Sequence, residues 1–238
     1  MSVRKLDPVL IDRIAAGEVV ERPASAVKEL VENAIDAKAR RIDIVITSGG
    51  RDLIRVSDDG MGMSRADLDL AVERHATSKL PEGDLFNIAT LGFRGEALPS
   101  IGAVARLTLS SRPKDAAEGA TLTVDAGFKS EVKPIAMAEG TRVEVADLFY
   151  ATPARLKFLK TNRAEAQATA DMIKRIALAH PEIRFSLVSD GTTLFDYAQE
   201  TGEDALVRRA SAVLGKEFTA NAVSINTMRE TVTLSGLA

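Results

Sequence analysis

The sequence predicts an α/β (α+β) two-layer sandwich, a mixed and mostly antiparallel sheet covered on one face by helices. Three observations carry that reading. Segments that alternate apolar and polar residues occur in neighbouring runs, RIDIVIT (41–47) with DLIRVSD (52–58), then ARLTLSS (105–111), GATLTVDA (119–126) and GTRVEVAD (140–147). Segments of helical period are inserted between those runs instead of being gathered at one end. With 4% aromatic residues and no Trp, the core must be built from Ile, Leu, Val and Ala.

Taken in order, a first helix fits residues 8–16. A longer one runs from Ala24 to Ala37, with Pro23 well placed for its first turn. Segments 41–47 and 52–58, joined by Ser48-Gly49-Gly50-Arg51, read as a β-hairpin. A helix over Ser64–Arg74 follows, with Ser64 as N-cap and Asp67 three residues on. Residues 75–95 form a polar, glycine-containing stretch long enough to be a loop or lid. A short helix over 95–103 leads into the three strands from 105 to 147. A helix from Asn162 to Ala179 is stopped by Pro181, and strands at 183–189 and 192–197 close the pattern. QETGEDA (199–205) reads as a linker. The last ~35 residues are too few for a good core of their own and read as the start of a second domain.

Composition narrows the chemistry. The absence of Cys excludes disulfides, thiolate nucleophiles and Cys-based zinc sites. Two His residues, His75 and His180, are too few for a His-rich metal centre. A net charge of −3 argues against a generally basic surface for nucleic acid, though not against a local basic groove. No apolar run approaches the ~20 residues needed to cross a bilayer. The first twenty residues are interrupted by Asp7, Asp12 and Glu18 and lack a signal-peptide core, so a cytoplasmic location is expected.

Several familiar nucleotide and hydrolase motifs are missing. There is no GxxxxGK[ST], GxGxxG, GxSxG or HExxH. What is present is a series of smaller pieces. In ELVENAIDA (29–37), Glu29, Asn33 and Asp36 share an arc of roughly 80° opposite Val27, Leu30, Val31 and Ala34. Such a face is either solvated or lines a site. DDGMG (58–62) follows a strand directly; it is an ordinary turn or a place where bare backbone approaches a ligand. LGFRGEAL (91–98) sets glycine-rich backbone ahead of a helix, either a flexible loop or a cradle of N–H donors for an anion. Thr77-Ser78-Lys79 supplies two hydroxyls and an ammonium, and Gly140-Thr141 opens a strand.

In this order the pieces resemble the Bergerat-type ATP-binding fold shared by DNA gyrase, the large heat-shock chaperone, sensor histidine kinases and MutL. Within that superfamily, IAAGEVVERPASAVKELVENAIDA (14–37), RHATSK (74–79), GFRGEAL (92–98) and DLFYATPARLKFL (147–159) resemble the MutL family of mismatch-repair proteins, over residues 1 to about 200. A sensor kinase would need an exposed phosphoacceptor His, which neither His75 nor His180 fits. The resemblance implies ATP and Mg²⁺ as cofactors. It makes Glu29 the general base, Asn33 a Mg²⁺ ligand through its carbonyl oxygen, and Asp58 the acceptor for the adenine amino group. Gly60 and Gly62 would leave room for base and ribose, and Thr141 would buttress the adenine end. Thr77, Ser78 and Lys79 would reach phosphate from the lid, and Leu91, Gly92, Phe93, Arg94, Gly95 and Glu96 would wrap the phosphates. Asp36 receives no firm role. Many relatives read Asp-Asn-Gly where this chain has Asp59, and that extra charge is expected to weaken binding a little.

The resemblance further implies slow hydrolysis and a homodimer formed through an arm at 1–20, especially Ile11 to Gly17, with 75–95 as an ATP lid. It divides the chain into an ATPase domain (1–200) and a linker with the truncated start of a ribosomal S5-like domain (201–238). In the family that second domain supplies a lysine to the γ-phosphate. Expected partners are the mismatch sensor MutS, a downstream repair endonuclease or helicase, and DNA bound without sequence preference. Arg155, Lys157, Lys160 and Arg163 are candidates for DNA contact, and equally read as a solvated helix face.

Overall fold

Alternation sends every second side chain to one face of a strand, and here those faces line up across seven strands. The computed structural model describes residues 6–79, 90–92 and 95–238. Its main sheet contains β1 (Arg41–Thr47), β2 (Leu53–Asp58), β3 (Arg106–Arg112), β4 (Gly119–Asp125), β5 (Phe128–Lys129), β6 (Lys133–Ile135), β7 (Gly140–Ala146), β8 (Arg184–Ser189) and β9 (Thr192–Tyr197). The order is β5-β4-β3-β7-β2-β1-β8-β9, with β6 pairing to β4. Every pairing is antiparallel except β1 with β8. Register places Phe195, Leu187, Ile44, Val56, Val143, Leu109 and Leu122 in one continuous row, all buried.

Helices cover that face: α2 (Pro23–Asp36), α4 (Ala97–Val104) and α6 (Asn162–Ala179) pack on it, and α1 (Pro8–Val19) packs on α4. The stripe read from sequence in α2 is the one it buries, Val27, Leu30, Val31 and Ala34. Pro23 opens that helix, and Thr161 caps α6 by accepting the Ala164 N–H. Among the described residues, no helix is long and apolar enough to cross a membrane.

Several elements differ from expectation. α1 continues to Val19, past Gly17. A Cβ at Gly17 would stand 1.5 Å from Nη2 of Arg155, whose Nη1 donates to the Val20 carbonyl at 3.1 Å. The guanidinium therefore needs the bare backbone and caps the helix end. The helix expected over 64–74 is α3 (Arg65–Leu70), with Ser64 capping through the Asp67 N–H. Beyond it, Lys129 in β5 holds Asp69 at 3.1 Å and Glu73 at 2.5 Å, and the chain turns, reaching φ +63° at His75. The short elements β5, β6 and α5 (Pro153–Leu156) had no signal in the pattern.

Residues beyond 199 contain α7 (Ala205–Leu214), α8 (Lys216–Asn221) and a hairpin of β10 (Ser224–Arg229) and β11 (Val232–Leu237) that pair only with each other. Arg209 of α7 is fully buried. It donates to the carbonyls of Ala177, His180, Pro181, Ile183 and Ala198. It thereby satisfies the last turn of α6 and fastens α7 to the sheet layer.

Candidate functional site

One step along the sheet from the apolar row, the pattern changes. Tyr197, Phe185 and Ile42 are followed across the strands by Asp58, Thr141 and Ser111 before Ala120 resumes apolar character. Three adjacent strands thus turn polar on the helix-covered face. Asp58 is largely enclosed yet keeps an edge open. Burial pushes its carboxyl up to about 6, against the pull of the Gly60 and Thr141 N–H groups, with the neighbouring Asp59 charge adding a smaller push. The Gly60 bond is 2.8 Å.

Ser111, completely buried, joins the pieces. Its Oγ accepts from the Met63 N–H at 2.8 Å and lies 3.0 Å from the Gly140 carbonyl and 2.8 Å from Thr141 Oγ1. It ties the DDGMG turn to the start of β7. Sequence reading placed it in a strand and gave it no role; the signal was register against Thr141, invisible without the pairing.

The glycines of this turn are required by protein backbone. A Cβ at Gly60 would stand 2.7 Å from the Ala37 carbonyl oxygen, and one at Gly62, at φ +67°, 2.3 Å from that of Arg112. Asp59 faces away: its Oδ1 accepts the N–H groups of Arg40 and Arg41, each at 2.8 Å. Those two bonds tie the carboxylate to the start of β1.

The second part of the site lies at the end of α2. Glu29, about one-third exposed, has Lys28 at 3.6 Å. One turn on, Asn33 Oδ1 accepts from Lys79 Nζ at 2.7 Å. A further turn on, Asp36 accepts from the same ammonium at 2.6 Å and from the N–H groups of Leu91 (3.1 Å) and Gly92 (3.3 Å). Thr77 Oγ1 accepts the Lys79 N–H at 3.1 Å, which shapes the Thr77-Ser78-Lys79 turn. Asp36, left without a role in the sequence, is the most connected residue of this group. Its place on the helix face was visible; its partners, far along the chain, were not.

The stretches flanking 79–92 meet at a third junction. Gly95, at φ +62°, presses on Ala76, whose carbonyl oxygen would lie 2.5 Å from a Cβ there. Glu96 accepts from Arg74 at 2.9 Å and stands 2.9 Å from His75 Nδ1, while Arg74 also reaches Asp12 of α1 at 2.8 Å. The side chain of Glu96, a residue expected to help wrap the phosphates, is engaged within the protein. Phe93, Arg94 and residues 80–89 of the expected lid lie outside the described residues, as do residues 1–5 of the expected arm.

Among the described residues, no cluster of three or more His, Asp or Glu could hold a metal by itself. Asn33 offers a single neutral oxygen that already receives a cation. That suits Mg²⁺, which takes its other ligands from phosphate and water. Of the basic cluster, Lys157, Lys160 and Arg163 are exposed, whereas Arg155 is turned onto α1.

A sandwich of this topology with an acidic residue set into its central strand row defines a class. The model for histidine kinase-, DNA gyrase B- and HSP90-like ATPases matches residues 21–149, and the chain belongs to that family. Within it, the similarity is to proteins named DNA mismatch repair protein MutL. The one from Beijerinckia indica is 60% identical over 99% of this chain, and the one from Paramagnetospirillum magneticum 59% over all of it. The chain spans 37% and 40% of their lengths. Among solved structures, the Aquifex aeolicus MutL ATPase domain complexed with ADP superimposes with a TM-score of 0.72 at 32% identity, over 88% of this chain and 73% of that one.

Proposed function

We propose that this chain binds ATP with Mg²⁺ and hydrolyses it slowly, and that nucleotide binding drives pairing of two copies in DNA mismatch repair. The observation that carries the reading is the enclosed Asp58, set with Thr141 and Ser111 into a largely apolar sheet face and held by the Gly60 and Thr141 N–H groups. A carboxylate so fixed accepts from the adenine amino group and disfavours guanine, whose carbonyl would face it. Thr141 supports that end.

At the other end, Lys79 and the N–H groups of Leu91 and Gly92 are donors suited to phosphate, with Thr77, Ser78 and Gly95 holding the turns around them. Phe93, Arg94 and Glu96 complete the set the family resemblance assigns. Asn33 would hold Mg²⁺, which neutralises phosphate charge. Glu29 takes a proton from the attacking water as its oxygen bonds to the γ-phosphorus, and ADP leaves with the bridging oxygen. Turnover is slow because closure over the nucleotide and pairing of two copies through residues 1–20 precede chemistry. The exposed Leu10, Ile11 and Ile14 of α1 supply an apolar face for that pairing.

Residues 1–200 form the nucleotide domain. The second domain, expected from residue 201, is proposed to begin after Gly215, because Arg209 fastens α7 to the first. Lys157, Lys160 and Arg163 give weak, salt-sensitive contact with DNA phosphates. The protein acts in the cytoplasm with the mismatch sensor MutS and a downstream endonuclease or helicase.

The test is Mg²⁺-dependent ATP binding and phosphate release by the wild type, Glu29→Ala and Asn33→Ala. Slow turnover by the wild type, binding without turnover in Glu29→Ala and loss of Mg²⁺-dependent binding in Asn33→Ala support the reading. A wild type that binds no ATP overturns it.

A further inference from the structure

We propose that Asp36 is an internal stand-in for a phosphate group, holding the phosphate-binding donors in the nucleotide-free protein until a triphosphate displaces it. The inference rests on the ATP reading above and adds to it the group that competes with the ligand.

Asp36 is the last residue of α2, where the helix dipole disfavours a negative charge. Helix stability therefore does not explain a carboxylate there. Its side chain is only 9% exposed, so its charge must be met by protein. Three donors meet it: the Lys79 ammonium at 2.6 Å on Oδ2, the Leu91 N–H at 3.1 Å on Oδ1 and the Gly92 N–H at 3.3 Å on Oδ2. One ammonium and two successive backbone N–H groups are the equipment of a phosphate cradle, and all of it is engaged by a two-oxygen anion of the protein itself.

The neighbouring Asn33 oxygen shares the same ammonium at 2.7 Å. When Lys79 leaves Asp36 for a phosphate oxygen, it also leaves Asn33, and the oxygen proposed for Mg²⁺ is uncovered in the same movement. Phosphate binding and metal binding are linked through one lysine. The carboxylate left behind also repels the incoming phosphates. Asp36 thus lowers affinity while keeping the empty cradle ordered.

The test is Asp36→Asn, isosteric and uncharged, with two readouts. In nucleotide-free wild type the Leu91 and Gly92 amides are protected from hydrogen exchange; in the variant they exchange about tenfold faster, as expected for loss of hydrogen bonds to a charged acceptor. Nucleotide restores their protection in both. By calorimetry with a non-hydrolysable ATP analogue and Mg²⁺, the variant binds about tenfold more tightly than wild type, the worth of one such bond. A residue that only supported the loop would give weaker binding when changed.

Equal or weaker binding by a folded Asp36→Asn overturns the inference and leaves the ATP reading standing. Weakening confined to Mg²⁺-containing buffer does the same and makes Asp36 a metal-side residue. Unprotected Leu91 and Gly92 amides in nucleotide-free wild type overturn it without any variant. If wild type binds no nucleotide at all, the ATP reading fails and this inference with it.

Discussion

The two ends of the site are built differently. At the Asp58 end, the polar groups sit in adjacent strands of one sheet, and their partners are backbone groups fixed by strand pairing. At the Asp36 end, a helix terminus meets two loop segments, and the donors are held by the protein's own carboxylates. If the proposed function holds, base recognition is prepared before a ligand arrives, whereas phosphate recognition begins with an exchange of partners. The first arrangement costs stability continuously through an enclosed charge. On the proposed role of Asp36, the second costs affinity at the moment of binding.

The largest expected effect separates these costs at the sheet end. Asp58 has its folded pKa raised to about 6 from an ordinary 3.8. Its contribution favours folding fully below 3.8 and is lost as pH rises through 6. At pH 7.5, Asp58→Asn should stabilise the fold by up to about 3 kcal/mol in urea unfolding, with the gain vanishing near pH 4, while ATP loses its preference over GTP. A variant that is less stable at pH 7.5 would show that the buried charge is fully compensated.

A second change breaks the sheet end instead. Ser111→Ala leaves the Met63 N–H without its acceptor and should cost about 2 kcal/mol in the same measurement. It should weaken ATP through the base, with phosphate or pyrophosphate binding unchanged.

The smallest effect belongs to the loop end. Arg74 bridges Asp12 and Glu96 with partly exposed side chains. A double-mutant cycle of Arg74→Ala and Asp12→Ala should give a coupling below about 1 kcal/mol in stability. The same cycle read on nucleotide-dependent pairing should show a larger coupling, since Arg74 links the arm helix to the stretch leading to Lys79. Equal couplings would confine Arg74 to a structural role.

What the sequence made legible follows the same division. α6 was readable from end to end because Thr161 caps it and Pro181 lies just beyond it. The hairpin of β1 and β2 was readable because both strands alternate and two glycines join them. Local chemistry determined both. The end of α3 was not readable, because Lys129, some sixty residues away, holds both Asp69 in its last turn and Glu73 just beyond it. Asp36 was visible as one of three polar residues on a helix, yet its partners Lys79, Leu91 and Gly92 come from distant chain. Arg155 looked like part of a basic run, and only the bare backbone of Gly17 reveals its target. Where a residue's meaning lay in its neighbours along the chain it could be read. Where it lay in register or in a long-range partner it could not.

The carbonyls gathered by Arg209 have a mechanical consequence. Five oxygens from the end of α6, the turn after it, the residue just before β8 and the residue just after β9 converge on one guanidinium. Pulling α7 away would strip all five at once, so this joint yields late under load. The next residue in a conformation that favours glycine is Gly215, at φ +98°, where an added Cβ would meet nothing within 4 Å. Through Arg209, α7 is keyed to the sandwich like a shaft to its hub, and the first change of direction in the chain beyond it comes at Gly215.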